Sequence, residues 1–430
     1  MGVIEPNSRR VVAYGNLASG DPRTLDGDTI FEIGSISKVF TSLLLADMVN
    51  RKEVALDDPA AKYVPEDVTI PERSGKSITL LDLSTHRSGL PNLPGNMKLN
   101  LAQGQIVDAA NPQAFYSVDD LYHFLSCYTL PRDPGSEFEY SNLGAGLLGH
   151  LLAYRAGTDY ESLVRIRITQ PLDMPHTGIT LSLSAKQRMA TGHRPTLAPI
   201  AAKNWEPSHG LSGAGALHSS VNDMLTFLEA FLGYKGTALA SAMKAMLEVR
   251  RPAGKIEIGL GWLISLTEGS EIVWHNGGTP GFRSFVGYDP RNRVGVVALA
   301  NASTQTGVDD IGFHLLNPKL PLANPEPPKQ RTEIRIDPKV LNNYTGRYQV
   351  TPDLIFEITR DGDRLFAQGF AQLAGQAVAL PKFEVFAESE KRFFARVSDN
   401  RITFETGPEG MATSLVLHKC GRDMPAPRLS

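Results

Sequence analysis

Three short sets of residues in this chain carry side chains that could together perform acyl transfer. The first is Ser35-Ile36-Ser37-Lys38, which follows Gly34 and opens an apolar run that predicts a buried helix. Because positions i and i+3 share one face of a helix, the Ser35 hydroxyl and the Lys38 amine can touch. A serine attacks only when a base takes its proton, and a lysine kept neutral by burial can be that base. We therefore predict that Ser35 is the nucleophile and that Lys38 is a candidate for its base.

The other two sets are Tyr140–Asn142 and His275–Gly277. A phenol beside a serine and a lysine can carry the proton on to a leaving group, so Tyr140 is the predicted partner in proton transfer. The residue types leave open whether Tyr140 or Lys38 is the principal base.

Each set is weak evidence alone, because similar triplets occur elsewhere in the chain. They lie at Ser241–Lys244, Tyr14–Asn16 and Lys419–Gly421. Context separates them: Ser241 falls inside an alanine-rich amphipathic helix, whereas Ser35 follows a glycine at a strand-to-helix junction, where free backbone NH groups favour developing negative charge. We expect the similar triplets to lie away from the site.

Four segments in this order resemble the penicillin-recognising serine hydrolases, and within them the class C branch of β-lactamases, DD-peptidases, D-aminopeptidases and esterases. They are Phe31–Lys38, Leu83–Pro91, Tyr140–Asn142 and Trp274–Gly278. The resemblance runs from residue 3 to about residue 316. It implies an α+β fold in which an antiparallel sheet joins a helical lobe, with the site in the cleft between them.

The resemblance also implies roles for individual residues. Asn142 would bind the acyl side of the substrate, and His275 and Gly277 would contact the substrate. The backbone NH groups of Ser35 and Gly278 would form the oxyanion hole. His86 is interpreted as structural, because it closes a helix before a Gly-Leu-Pro turn.

His275 stands where class C β-lactamases carry a lysine. A lysine would hold a fixed positive charge for a substrate carboxylate, whereas histidine is expected to be only partly charged near neutral pH. This favours a serine hydrolase acting on D-residue peptides or esters. A class C-like β-lactamase and a non-catalytic penicillin-binding or scaffold protein are the alternatives.

Composition excludes several other classes of protein. The net charge of −3 gives no broad basic field, so nucleic acid is not an expected partner, and no apolar run is long enough for a membrane span. The histidines and the two cysteines show no metal-ligand spacing, so neither a metal nor a cofactor is expected. Gly213-Ala214-Gly215 resembles a dinucleotide fingerprint, but His218 occupies the third glycine position, and the segment is interpreted as cleft wall.

The expected partner is therefore a small-molecule or peptide substrate, and the oligomeric state is left open. The first residues lack the features of a secretory signal, whereas many proteins of the resembled family are exported. A periplasmic or secreted location is therefore suggested by resemblance only.

The patterning divides the chain into two domains. Strand signals at both ends of residues 1–317 enclose a helical middle, which predicts a sheet where both ends of the catalytic domain meet. Residues 318–331 form a predicted linker that contains Pro318, Pro321, Pro325, Pro327 and Pro328. Short alternating runs in residues 332–430 predict a small antiparallel β-barrel, which resembles the lipocalin-like domain of some related proteins.

Overall fold

The computed structural model describes residues 1–18, 20–97, 116–194, 200–201, 209–267, 269–304, 306–324, 331–352, 354–373, 376–379, 382–395, 401–419 and 422–429. The chain forms two compact units, residues 1–194 with 201–325 and residues 195–200 with 326–430. Part of the predicted linker, residues 325–330, lies outside the described residues, as does Cys420.

The described helices are α1 (Ser37–Asn50), α2 (Leu80–Ser84), α3 (Val118–Cys127), α4 (Asn142–Ala156), α5 (Tyr160–Val164), α6 (Gln170–Leu172), α7 (Leu183–Gln187), α8 (Ser212–Gly215), α9 (Val221–Phe231), α10 (Ala240–Glu248), α11 (Asp309–Leu316) and α12 (Pro338–Leu341).

The described strands are β1 (Gly2–Glu5), β2 (Ser8–Val11), β3 (Ile30–Glu32), β4 (Glu72–Arg73), β5 (Lys76–Ser77), β6 (His193–Arg194), β7 (Ile200–Ala201), β8 (His218–Ser220), β9 (Arg251–Ala253), β10 (Ile256–Ile258), β11 (Leu263–Thr267), β12 (Ser270–Gly278), β13 (Arg283–Asp289), β14 (Val294–Ala300), β15 (Gly346–Thr351), β16 (Leu354–Asp361), β17 (Arg364–Leu373), β18 (Gln376–Ala379), β19 (Phe383–Ala387), β20 (Arg392–Ala395), β21 (Arg401–Thr406), β22 (Ala412–Lys419) and β23 (Arg422–Pro427).

An antiparallel sheet forms the centre of the first unit, in the order β2-β1-β14-β13-β12-β11-β10-β9. Strand β1 pairs with β14, where Gly2 lies opposite Val297, so the two ends of this unit meet in one sheet and the predicted α+β architecture is confirmed. The β-rich stretch from residue 256 to residue 267 forms two strands, β10 and β11, because Gly261 turns the chain between them with a φ of +71°.

Two helices of the first unit are buried on almost every face. Twelve residues of α1, from Ser37 to Met48, are buried, and α4 is buried over most of its length. A helix without a polar face must lie inside the molecule, which is why both sequences read as continuous apolar runs. These two helices hold the first and second residue sets, and β12 holds the third.

The second unit is a nearly closed antiparallel barrel in the order β15-β16-β17-β19-β20-β21-β22-β23. A bridge between Tyr348 and Arg428 brings the first and last strands together. Buried aromatic rings fill the interior, and Tyr344 stacks on Phe404 with ring centroids 4.5 Å apart. The predicted barrel is confirmed, and its interior is a packed core.

The described part of the chain contains no helix that is both long enough and apolar enough to cross a bilayer.

Candidate active site

Ser35 lies where β3 passes into α1. Gly34 turns the chain with a φ of +50°, and a Cβ atom there would lie 2.9 Å from the backbone nitrogen of Gly278. Only glycine combines this backbone conformation with such a close approach. The turn leaves Ser35 half-buried, two residues before α1, with the end of β12 against the chain that precedes it.

Lys38 lies one turn further along, and only 2% of it is exposed. Its Nζ atom lies 2.9 Å from Ser35 Oγ, 2.7 Å from Asn142 Oδ1 and 2.6 Å from the carbonyl oxygen of Ala214. Burial lowers the pKa of the Lys38 amine well below its usual value, because a charged amine loses its hydration there. The predicted contact between Ser35 and Lys38 is therefore present.

Tyr140 lies beside the same pair. Its hydroxyl interacts with the Ser35 side chain, and Lys38 Nζ lies 4.9 Å from the centre of its ring. Burial raises the pKa of Tyr140 to about 12, against the opposing effect of the interaction with Ser35. The ring packs against His86 with centroids 4.5 Å apart. The structure thus brings Ser35, Lys38 and Tyr140 together.

Ser141 and Asn142 begin α4. Ser141 Oγ accepts a hydrogen bond from the Gly144 NH at 2.8 Å, as an N-cap does, and donates one to the Pro91 carbonyl at 2.7 Å. Asn142 Nδ2 donates to Asn92 Oδ1 at 2.9 Å. Because Lys38 bonds to its oxygen and Asn92 to its nitrogen, the Asn142 amide has a fixed orientation.

His86 contacts the second set through both its backbone and its ring. Its Nδ1 accepts a hydrogen bond from the Ser141 NH at 3.2 Å, and its carbonyl accepts one from the Glu139 NH at 2.8 Å. The ring is 3% exposed, and burial, aided by Lys38 and His275, lowers its pKa well below the usual value. These contacts agree with the structural interpretation of His86.

His275 is 2% exposed on β12. Its Nδ1 donates to the backbone oxygen of Asn276 at 2.7 Å, and burial, together with nearby Lys38, lowers its pKa to about 3. The imidazole is therefore neutral near pH 7. The expectation of a partly charged histidine was wrong, because exposure in the folded chain could not be read from the sequence.

Gly277 is surrounded by backbone. A Cβ atom there would lie 2.0 Å from the Ile33 carbonyl oxygen and 2.5 Å from Ser284 Oγ. Ser284 in turn donates a hydrogen bond to the Ile33 carbonyl at 2.8 Å. Gly277 thus lets β12 lie directly against the residues before Ser35, which is a packing reason for glycine at this position.

The similar triplets have other surroundings than this cluster. Ser241 is exposed on α10, Tyr14 is 99% exposed, and Lys419 belongs to the second unit. Ala214 is a site residue that the sequence interpretation missed. It lies on α8, within the segment interpreted as cleft wall, and it acts through its carbonyl, for which a side-chain pattern gives no signal.

Among the described residues, no group of three or more His, Cys, Asp and Glu side chains is arranged to hold a metal ion. The chemistry available at the site is that of a hydroxyl in contact with an amine, with a phenol beside them.

Comparisons with known proteins identify relatives for both units. The Beta-lactamase family model matches residues 1–316, and the model of a domain of unknown function (DUF3471) matches residues 330–426. The D-alanyl-D-alanine-carboxypeptidase/endopeptidase AmpH of Escherichia coli K12 is 29% identical over 354 residues, which are 75% of this chain and 86% of that protein. Penicillin-binding protein 4* of Bacillus subtilis 168 is 26% identical over 437 residues, which are 97% of this chain and 91% of that protein.

A solved structure extends the likeness of fold to nearly the whole chain. It is that of the octameric penicillin-binding protein homologue from Pyrococcus abyssi, with a TM-score of 0.62, 22% identity, and coverage of 99% of this chain and 94% of that one. At this identity the likeness establishes the fold alone. Because the family model spans well over half of its length, the chain belongs to the β-lactamase family.

Proposed function

We propose that this protein is a serine hydrolase that forms an acyl-enzyme on Ser35 and acts on amide or ester bonds, with D-residue peptides or esters as its favoured substrates. The observation that carries the proposal is the buried Lys38 amine 2.9 Å from the Ser35 hydroxyl. AmpH, a relative of this chain, is a carboxypeptidase and endopeptidase by name, which supports amide hydrolysis.

The hydrogen-bond partners of Lys38 support its role as base. A neutral amine has two N–H donors and one lone pair. Asn142 Oδ1 and the Ala214 carbonyl oxygen can only accept, so they take both donors. The lone pair is then left for the Ser35 hydroxyl, whose O–H donates to Nζ.

Under this proposal acylation proceeds in two steps. The Ser35 proton passes to Lys38 while Oγ bonds to the carbonyl carbon of the substrate, and the backbone NH groups of Ser35 and Gly278 bind the resulting oxyanion. When the bond to the leaving group breaks, Tyr140 gives that group its proton and recovers one from Lys38. Water then hydrolyses the acyl-enzyme by the same proton route.

Asn142 and His275 act in binding under this proposal. Asn142 is held in one orientation and presents its amide to the acyl side of the substrate. His275 is neutral, so it contacts the substrate without providing the fixed charge that a lysine would provide.

A fluorophosphonate probe tests the nucleophile. The parent protein should be labelled covalently, and Ser35→Ala should abolish the label, because among the described residues the Ser35 hydroxyl is the one that contacts a buried lysine amine. Ser241→Ala is the matched control, since Ser241 lies in a Ser-x-x-Lys triplet on the exposed face of α10, and it should label like the parent. Label that persists in Ser35→Ala and disappears in Ser241→Ala would overturn the assignment.

A substrate panel then separates the alternatives. D-residue peptides, p-nitrophenyl esters and a chromogenic cephalosporin are compared at equal enzyme concentration, and we expect the peptides or esters to turn over faster. Fast cephalosporin hydrolysis would favour a class C-like β-lactamase. The absence of any covalent adduct and of turnover would favour a binding or scaffold protein.

A further inference from the structure

An ion pair lies beside the end of β12, outside the group of residues described above. The Arg283 side chain on β13 approaches Gly278, where a Cβ atom would lie 3.5 Å from Arg283 Nη1. Arg283 Nε donates to Asp309 Oδ1 at 3.0 Å, and Arg283 Nη2 donates to Asp309 Oδ2. The two side chains are 26% and 21% exposed.

Asp309 has a further donor in Asn276, the residue next to His275. Asn276 Nδ2 lies 2.5 Å from Asp309 Oδ2. The carboxylate therefore accepts from two nitrogens of the guanidinium, Nε and Nη2, and also from the side-chain amide of Asn276 on the neighbouring strand. In the part of the chain that the structure describes, Arg283 Nη1 has no hydrogen-bond partner, and it is the atom next to Gly278.

A guanidinium whose fork is free is the usual partner of a substrate carboxylate, because two parallel N–H groups match its two oxygens. Here an internal carboxylate already binds one such pair, on Nε and Nη2, and compensates the positive charge. Lys38 and His275 do not replace that charge, since burial lowers the pKa of each and favours the neutral form. The N–H groups that remain on a guanidinium with a compensated charge suit an uncharged acceptor.

We propose that the substrate group bound beside Gly278 is uncharged and accepts a hydrogen bond, as an amide or ester carbonyl does, and that Asp309 selects against a carboxylate there. The inference rests on the proposed hydrolase function and narrows the expected class of substrates. It makes the preferred substrate a peptide or ester without a free carboxylate next to the scissile bond.

Matched substrates and three variants test the role of Asp309. The first pair consists of the 3-carbamoylphenyl and 3-carboxyphenyl esters of one acyl group, so that the charge of the leaving group varies. The second pair consists of a succinamoyl and a succinyl ester of one phenol, so that the charge of the acyl group varies. The quantity compared is the ratio of kcat/KM for the anionic member to kcat/KM for the neutral member of each pair. We expect the parent protein to prefer the neutral member.

Asp309→Asn should raise this ratio about tenfold in at least one pair, because it frees the Arg283 charge for a charge-assisted hydrogen bond. Asp310→Asn is the control, since it removes the same charge one residue away, where Asp310 accepts from the Gly307 and Ala323 NH groups. It should leave the ratio at the parent value. The double variant R283Q/D309N carries no unpaired charge and should also keep the parent ratio.

A parent protein that prefers the anionic substrates, an unchanged ratio in Asp309→Asn, or a large loss of anionic activity in the double variant would each overturn the proposal. The last outcome would mean that Arg283 anchors a carboxylate, and it can be read even if Asp309→Asn fails to fold. Fluorophosphonate labelling of Ser35 is measured on the same samples. If the parent protein takes up no label, the hydrolase function is rejected. If the label is intact and the kcat/KM ratio is unchanged in Asp309→Asn, only the selection by Asp309 is rejected.

Discussion

At the level of single residues, the proposed chemistry depends on how burial changes side chains that are ordinarily charged. Lys38 and His275 are each 2% exposed, and each has a pKa below its usual value. For Lys38 the shift makes a base available, whereas for His275 it removes a charge. The same physical cause thus gives one residue a role in proton transfer and limits the other to neutral contacts.

The pH dependence of acylation should report the Lys38 amine. Because the deprotonated amine is the active form and burial lowers its pKa, the rate should rise with pH and level off well below the usual lysine value of 10.5. Stopped-flow release of p-nitrophenol in the burst phase measures this rate. Lys38→Arg keeps the charge but cannot lose a proton near neutral pH, so it should slow acylation by roughly 10²- to 10⁴-fold.

His275→Asn provides the control for that profile. With a pKa of about 3, His275 does not titrate between pH 5.5 and 7.5, so its replacement should leave the midpoint of the profile unchanged. A midpoint near 10.5 in the parent protein, or full activity in Lys38→Arg, would contradict the role given to Lys38.

Some of these residues could be predicted from the sequence, and others could not. The contact between Ser35 and Lys38 follows from helical spacing, which is local. Arg283 and Asp309 meet because β13 and α11 pack together, and their spacing of 26 residues fits no motif. The charge state of His275 depends on exposure in the folded chain, so the residue type alone led to the wrong expectation.

At the level of elements, the first turn of α4 sets the position of Tyr140 and Asn142. Ser141 caps this helix and also binds the Pro91 carbonyl, while His86 accepts the Ser141 NH. The segment that contains His86 and Pro91 therefore holds this helix end at two points. This explains why a small hydroxyl residue stands between two residues with proposed chemical roles.

Ser141→Ala tests whether this cap serves the site as well as the helix. Loss of an N-cap costs about 1 kcal/mol of unfolding free energy, and we expect kcat/KM for an ester to fall as the two neighbouring side chains lose their positions. Ser182→Ala is the matched control, because Ser182 caps exposed helix α7. It should lower the stability of the protein without changing kcat/KM, whereas equal kinetic effects would argue against a positioning role for Ser141.

Prediction of the elements succeeded where the pattern was strong. Helices α3 and α9 could be predicted from their patterns, because both have a serine N-cap and an amphipathic face. The last barrel strand, β23, could not, because Pro425 and Pro427 argue against a strand. It lies at the end of the strand order and pairs along β22, a place where prolines are tolerated.

At the level of the whole molecule, we propose that the chain consists of a catalytic domain at residues 1–317, a linker at 318–331 and a barrel domain at 332–430. The two family models end and begin at residues 316 and 330, and the two compact units divide after residue 325. These boundaries fall in or beside the proline-rich stretch, which supports the proposal.

Limited trypsin digestion should therefore cut first after Lys319, Lys329 or Arg331 and leave two resistant fragments, since linkers are preferred sites of nicking. Mass spectrometry of the early products identifies the cuts. Replacing these three residues with Gln should remove the early cleavage and leave other sites unchanged. Early cuts within either proposed domain, with none in the linker, would contradict these boundaries.

The pairing of β1 with β14 has a consequence for how the protein is made. Residues 2–4 pair with residues 295–297, so the central sheet cannot be completed until nearly 300 residues have left the ribosome. At about 5–20 residues per second, that delay is roughly 15–60 s. For most of this time the apolar helix α1 exists without α8 and α10, against which it later packs. The nascent chain should therefore depend on a chaperone that binds exposed apolar segments, and a strong synonymous slowdown of translation before residue 295 should increase aggregation.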